Sequence, residues 1–352
     1  MKLNFLSLAA LAACVSLASC QNDENPVAQT TARSLNNVSV GINGVVNSRA
    51  GITATQFSGT EQIGLYVFGG QGIDDATDAR DYTKGTAGNV KKPINRPYKH
   101  VGEGVWTYAA EPIILSTNVG KLYSYYPYAD GNDDAKAVAV NVVSDQATGQ
   151  SDGTKDDGQT DYMYGSVVEG LSNSTETANI VMNHALARLQ FKFVRDTYPG
   201  DAIISRIEVK NTTNGEYLKI GAGTMNIGTG AISVTGAAGS VFCAPTKQDL
   251  ADETVAANHP SMLVYPTSEV LSQGTLLINI TMDGQVYEIP LPYTAKKDGA
   301  SEAYKFEAGK NYVYTFKLTG KGFGDEEDDV KVTITPWTDV EVDEGTLVEP
   351  IA

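Results

Sequence analysis

Cys20 ends the run Leu17-Ala18-Ser19-Cys20, where small residues give a signal peptidase room and the cysteine thiol can carry a diacylglyceryl group. Leu11-Ala12-Ala13-Cys14 fits the same lipobox pattern. The following residues separate the two. Cys14 runs into more apolar chain, whereas Cys20 precedes the polar, acidic Gln21-Asn22-Asp23-Glu24-Asn25, so Cys20 is the expected lipidation site. Lys2 and the apolar stretch from Leu3 to Leu17 supply the charged and hydrophobic regions of a secretory signal. That stretch is shorter than the roughly 20 apolar residues of a membrane span. Residues 1–19 are therefore read as a signal peptide, and residues 20–49 as a tether beginning at the lipid.

Other chemistry is sparse. His100, His184 and His259 are the only histidines, and none has a second histidine or a cysteine at metal-ligand spacing, so no metal and no cofactor are expected. His184 is expected to pack or hydrogen-bond at a junction between domains. No G-x-S-x-G elbow or phosphate loop is present, and pairs such as Asp133-Asp134 and Asp156-Asp157 fall in loop-like sequence where solvation explains them. Asp130 to Asp134 lacks the spaced ligands of a calcium loop. No catalytic residue is assigned, and an enzyme is not expected. Once Cys14 is removed with the signal and Cys20 is acylated, Cys243 has no disulfide partner and reads as a small buried hydrophobe. Tyr123, Tyr125, Tyr126 and Tyr128 could stack on a sugar, but strand alternation assigns at least half of them to a core. With 26 Lys+Arg against 42 Asp+Glu and a net charge of −16, nucleic acid is a poor partner.

The elements that must position these residues are strands. Alternating runs cover Gln62 to Phe68, Lys121 to Tyr126, Leu189 to Val194, Ile203 to Lys210, Thr275 to Met282, Gln285 to Ile289 and Tyr312 to Leu318. Met282-Asp283-Gly284-Gln285 is the best hairpin signal, because Asp-Gly suits the positive backbone angles of a two-residue turn. Gln248 to Ala257 is the best candidate for a short helix. Ser144 to Gln159 has almost no apolar residue and reads as a surface loop. The polar stretch Ser172 to Thr177 suggests a boundary between two domains, 50–176 and 177–352.

The chain resembles the fimbrillin-like lipoproteins of Bacteroidetes, pilin subunits assembled by strand exchange after proteolysis. The resemblance is carried by Ser48-Arg49-Ala50-Gly51 with Phe57 and Gln62-Ile63-Gly64-Leu65-Tyr66-Val67, by Leu122 to Tyr128, by Met182-Asn183-His184-Ala185-Leu186-Ala187-Arg188-Leu189, by Ala308-Gly309-Lys310-Asn311-Tyr312 and by Val330 to Trp337. It implies an all-β chain of two tandem transthyretin-like β-sandwich domains after a lipoprotein signal peptide, with adhesion rather than catalysis as its role. It also implies an outer-membrane precursor, cut by an arginine-specific protease between Arg49 and Ala50, and partnership with other copies or related fimbrial subunits.

The strand-exchange logic can be traced on the residues. Val38, Val40 and Ile42 alternate with polar or small positions and look like a removable first strand, while Val330, Val332 and Ile334, followed by Trp337, Val340 and Val342, could form a donor strand. Two points stay open. Arg33 is a rival cleavage site, and Val330 to Ile334 could instead be the last strand of its own sandwich, leaving only the tail after Trp337 to exchange. A non-polymerising surface lipoprotein that binds glycan or a host ligand is the alternative function.

Overall fold

In the computed structural model the described residues are 33–35, 37–42, 57, 61–74, 80–81, 88–89, 94–102, 105–146, 158–175, 177–195, 197–212, 216–245, 260–297, 300–319, 322–323 and 330–336. Among them every regular element is a strand. Cys20, Arg49, Ala50, Trp337, Val340, Val342 and the expected helix at 248–257 lie outside the described residues.

The first half contributes β1 (Asn37–Ile42), β2 (Gln62–Gly69), β3 (Arg96–Gly102), β4 (Val105–Tyr108), β5 (Gly120–Tyr126), β6 (Val138–Val142), β7 (Met163–Gly165) and β8 (Thr177–His184). Apart from β6 these form one sheet in the order β7-β8-β1-β4-β3-β2-β5, and β7 also pairs with β5, so the sheet closes on itself. Its interior is filled by Leu35, Val38, Val40, Ile42, Ile63, Leu65, Tyr98, Trp106, Ile180 and Met182, among others. Alternation explains which side chains enter. In β8 the buried residues are Ala178, Ile180, Met182 and His184, and the residues between them face outward or are only partly buried.

The second half adds β9 (Ala187–Arg195), β10 (Ile204–Asn211), β11 (Lys219–Met225), β12 (Ser240–Cys243), β13 (Ser261–Val264), β14 (Leu276–Met282), β15 (Gln285–Pro290), β16 (Lys310–Thr319) and β17 (Val330–Pro336). One sheet runs β13-β9-β16-β17, another β12-β10-β14-β15, and β11 pairs with β6. Between them lies a second core that includes Phe191, Phe193, Tyr312, Tyr314, Phe316, Ile207, Ile278 and Ile280. Tyr66, Phe68, Tyr123 and Tyr125 join this core from the outer face of β2 and β5. Those strands are buried on both faces, which is why Gln62 to Phe68 reads as nearly continuous apolar sequence. Gly64 is what lets them meet closely: a Cβ there would fall 1.9 Å from Cε1 of Tyr125. The change of sheet comes after β8, which begins at Thr177 but pairs with β1 and β7.

Cys243 is fully buried, matching its expected role as a small buried hydrophobe. The Asp-Gly turn is also as expected: Asp283 and Gly284 have φ of 48° and 77°, and β14 and β15 pair in register through Met282 and Gln285. The Asp283 carboxylate accepts hydrogen bonds from the amides of Ala202 (2.9 Å) and Ile203 (2.8 Å) and from the Tyr198 hydroxyl (2.8 Å). The Ile203 amide is the main cause holding this carboxyl below its ordinary range. A depressed carboxyl adds stability at neutral pH that is lost as pH falls through the folded-state value. Asp283→Asn is therefore expected to flatten the acid limb of a plot of melting temperature against pH, between pH 5 and pH 2 by scanning calorimetry. Gly64→Ala should lower stability by about 1 to 3 kcal/mol through overpacking, measured by urea unfolding.

Candidate functional site

The short N-terminal strand β1 is an interior stave of the closed sheet. It runs parallel to β8, from Thr177↔Asn37 to Met182↔Ile42, and antiparallel to β4 through Val38↔Trp106 and Ser39↔Val105. Val38, Val40 and Ile42 are 1%, 0% and 6% exposed, so the alternation predicted for a buried face is realised. With fully buried Leu35, these side chains represent roughly 6 to 12 kcal/mol of burial before ordering costs. On the outer face Ser39 Oγ donates to Asn179 Oδ1 at 2.5 Å.

The chain entering β1 is held by a buried phenol. Leu35 donates its amide to the Ile113 carbonyl (2.9 Å), Tyr98 donates its hydroxyl to the Leu35 carbonyl (3.0 Å), and the same hydroxyl accepts from the Ile113 amide (3.2 Å). Burial pushes the Tyr98 hydroxyl up to about 12, against the opposing effect of the Ile113 hydrogen bond. Immediately upstream, Arg33 and Ser34 pair antiparallel with Leu115 and Ile114.

Beyond β1, Phe57 returns the chain to the same place. Its ring meets Trp106 edge-on at 5.0 Å and Tyr126 at 5.5 Å, with His100 at 6.4 Å. Trp106, fully buried, is thus the neighbour of Val38 on one side and of Phe57 on the other. Leu35, Tyr98 and Trp106 were not singled out by sequence reasoning. The V-W-T-Y alternation around Trp106 is the signal that could have marked it.

The second candidate segment, β17, lies in its own sheet. It pairs antiparallel with β16 from Lys310↔Pro336 to Phe316↔Val330. Val332 is buried and Ile334 is 36% exposed, so its two described aliphatic side chains are not equally engaged. Among the described residues no strand pairs with its outer edge.

The remaining candidates are structural. His184 is buried, with Nδ1 2.8 Å from Asp161 Oδ2, at the passage from β8 into β9. Tyr123 and Tyr125 are buried; the Tyr123 hydroxyl accepts from the Ile73 amide, and the Tyr125 hydroxyl donates to the Ala129 carbonyl and accepts from Asn95 Nδ2. Tyr126 and Tyr128 are partly buried, which leaves no open row of tyrosine faces for a sugar.

A closed sheet and packed sheets, with every regular element among the described residues a strand, define an all-β protein. The fimbrillin-like family profile matches residues 48–337, and the chain belongs to that family. It is similar to a putative cell adhesion protein from Bacteroides uniformis, at 19% identity and a TM-score of 0.57, over 86% of this chain and 99% of that one. A putative cell adhesion protein from Bacteroides ovatus gives 19% identity and a TM-score of 0.59 over 86% and 96%. A fimbrial protein from Bacteroides vulgatus gives 12% and 0.51 over 86% and 100%. At these identities the likeness speaks for the fold. A search of curated proteins found no match.

Tyr98→Phe removes one acceptor and one donor from buried backbone groups. It should lower the unfolding free energy by about 1 to 3 kcal/mol and speed amide exchange across β1 more than across β16, as followed by hydrogen-exchange mass spectrometry.

Proposed function

We propose that the chain is a structural subunit of a cell-surface fimbria that supports adhesion, made as an outer-membrane lipoprotein precursor acylated on Cys20. An arginine-specific protease cuts between Arg49 and Ala50, releasing the lipid together with β1, and the vacated slot accepts a strand from another copy or a related subunit. The observation that carries this reading is the position of β1. It is a central stave rather than an added edge, and it precedes the family-matched region, which begins at residue 48.

Loss of β1 would leave the facing edges of β8 and β4 unpaired and an apolar groove where Val38, Val40 and Ile42 sit. Such an opening favours an incoming strand of matching alternation, because the ladder satisfies backbone groups while the side chains refill the core. The donor is the C-terminal region: either β17 leaves β16, or the segment after Pro336, which holds Trp337, Val340 and Val342, is donated while β17 stays. The second route leaves the ladder between β16 and β17 intact. The lipid on Cys20 is then a temporary tether.

The test is to incubate purified precursor with an arginine-specific protease, sequence the new N-terminus, and run unheated gels. The expected result is a start at Ala50 and a ladder of oligomers, both abolished by Arg49→Ala. A start elsewhere refutes the site, and clean cleavage after Arg49 without oligomers refutes the exchange. Mass spectrometry of the cell-made precursor should find the acylated chain beginning at Cys20.

A further inference from the structure

We infer that Gln146 and Gln159 are peptide mimics that close two sheet edges against strand addition by a second copy. Both lie in the polar run expected to be a surface loop, yet they are 1% and 7% exposed. Each side-chain amide presents one acceptor and one donor to a single strand, as the C=O and N–H of a neighbouring strand residue would.

Gln146 Oε1 accepts from the Leu263 amide and Gln146 Nε2 donates to the Leu263 carbonyl, each at 2.8 Å. That is the two-bond exchange of an antiparallel hydrogen-bonded pair. Leu263 belongs to β13, whose other side pairs with β9, so the glutamine saturates the outward-facing amide and carbonyl of Leu263 in an edge strand. The backbone on either side of Asp145 treats the neighbouring sheet in the same way: the Phe242 amide donates to the Ser144 carbonyl and the Gln146 amide to the Phe242 carbonyl, both at 2.9 Å. Phe242 is in β12, the edge strand of that sheet. Three residues therefore cover one edge in each of the two sheets.

Gln159 repeats the device on β6. Its Oε1 accepts from the Val143 amide and its Nε2 donates to the Asn141 carbonyl, each at 2.8 Å. Bonds to residues on either side of Val142 follow the pattern of a parallel neighbour. The other side of β6 is paired with β11, so again the capped groups face outward.

An amide side chain satisfies the edge but cannot propagate a sheet, because it offers a single peptide unit. An uncapped edge carrying free amides and carbonyls is a template for another chain. Among the described residues the outer edges of β15 and β17 have no paired strand. For the sheets capped at β12 and β13 the opposite edges are β15 and β17, and for the sheet capped at β6 the opposite strand is Ile232–Val234. The inference is independent of cleavage at Arg49, and its test uses the uncleaved chain.

The test compares the full-length chain with the double variant Gln146→Met, Gln159→Met, similar in size but without the paired donor and acceptor. Amide exchange at Leu263 and Val143 should quicken at least about tenfold, and light scattering should find concentration-dependent multimers without protease, where the unsubstituted chain shows none. A folded double variant that remains monomeric while these amides exchange freely would overturn the proposal, as would retained protection of both amides. Should the double variant fail to fold, Gln146→Met alone is measured in the same two ways: faster exchange at Leu263 together with multimers supports the proposal, and either one without the other overturns it.

Discussion

Closure of the first sheet rests on the pairing of β1 with β8 and β4. A closed sheet has no free edge and needs no other device to prevent uncontrolled pairing. Here closure depends on six residues joined to the rest of the chain by long sequence separations. Val38, Val40 and Ile42 fill the interior beside Ile180 and Met182, and the two flanking ladders satisfy the backbone. Neither contribution survives alone. Apolar side chains without the ladder would leave buried amides unpaired, and a ladder without the side chains would leave a cavity lined by Trp106 and Leu65.

The second core inherits this dependence through β2 and β5. Their inward residues, such as Ile63, Leu65 and Leu122, face β1 across the closed sheet, while Tyr66, Phe68, Tyr123 and Tyr125 pack against the sheets of the second half. Rearrangement of the first sheet is therefore constrained from outside: β2 and β5 are clamped on both faces, whereas β1 and β8 have outer faces that carry Ser39, Asn179 and the exposed Val181. β1 itself contributes no described side chain to the second core.

Where burial follows alternation, the sequence was legible. The strands β9, β10, β14, β15 and β16 fall where apolar and polar residues interleave, β2 stands out as a near-continuous apolar run, and Asp283-Gly284 marks its turn because few other pairs adopt two successive positive φ values. The β1 triad was readable for the same reason. Other features depend on what lies across space. Lys219 to Met225 contains two glycines and little alternation, and β11 owes its strand form to its pairing with β6 on one side and with Ile232–Val234 and Ala237–Ala238 on the other. The sheet membership of β8 could not be read from the polar stretch before it, since pairing with β1 is a non-local choice. Gln146 and Gln159 sit among Asp, Gly and Thr, where a side chain that substitutes for a peptide bond looks the same as one in water.

Charge and hydrogen-bond geometry act together on how copies of this chain meet. A net charge of −16 makes encounters between copies repulsive at distances up to about the 8 Å screening length of physiological salt. Weak, unspecific contacts gain too little to overcome that repulsion. A strand pairing with a vacant ladder gains several hydrogen bonds and the burial of alternate side chains at once, all at contact distance. Long-range repulsion with short-range backbone complementarity makes association between copies depend on whether an open edge is available. The side-chain amides at β13 and β6 fit the same requirement, because charge slows an encounter but does not forbid pairing once two edges touch.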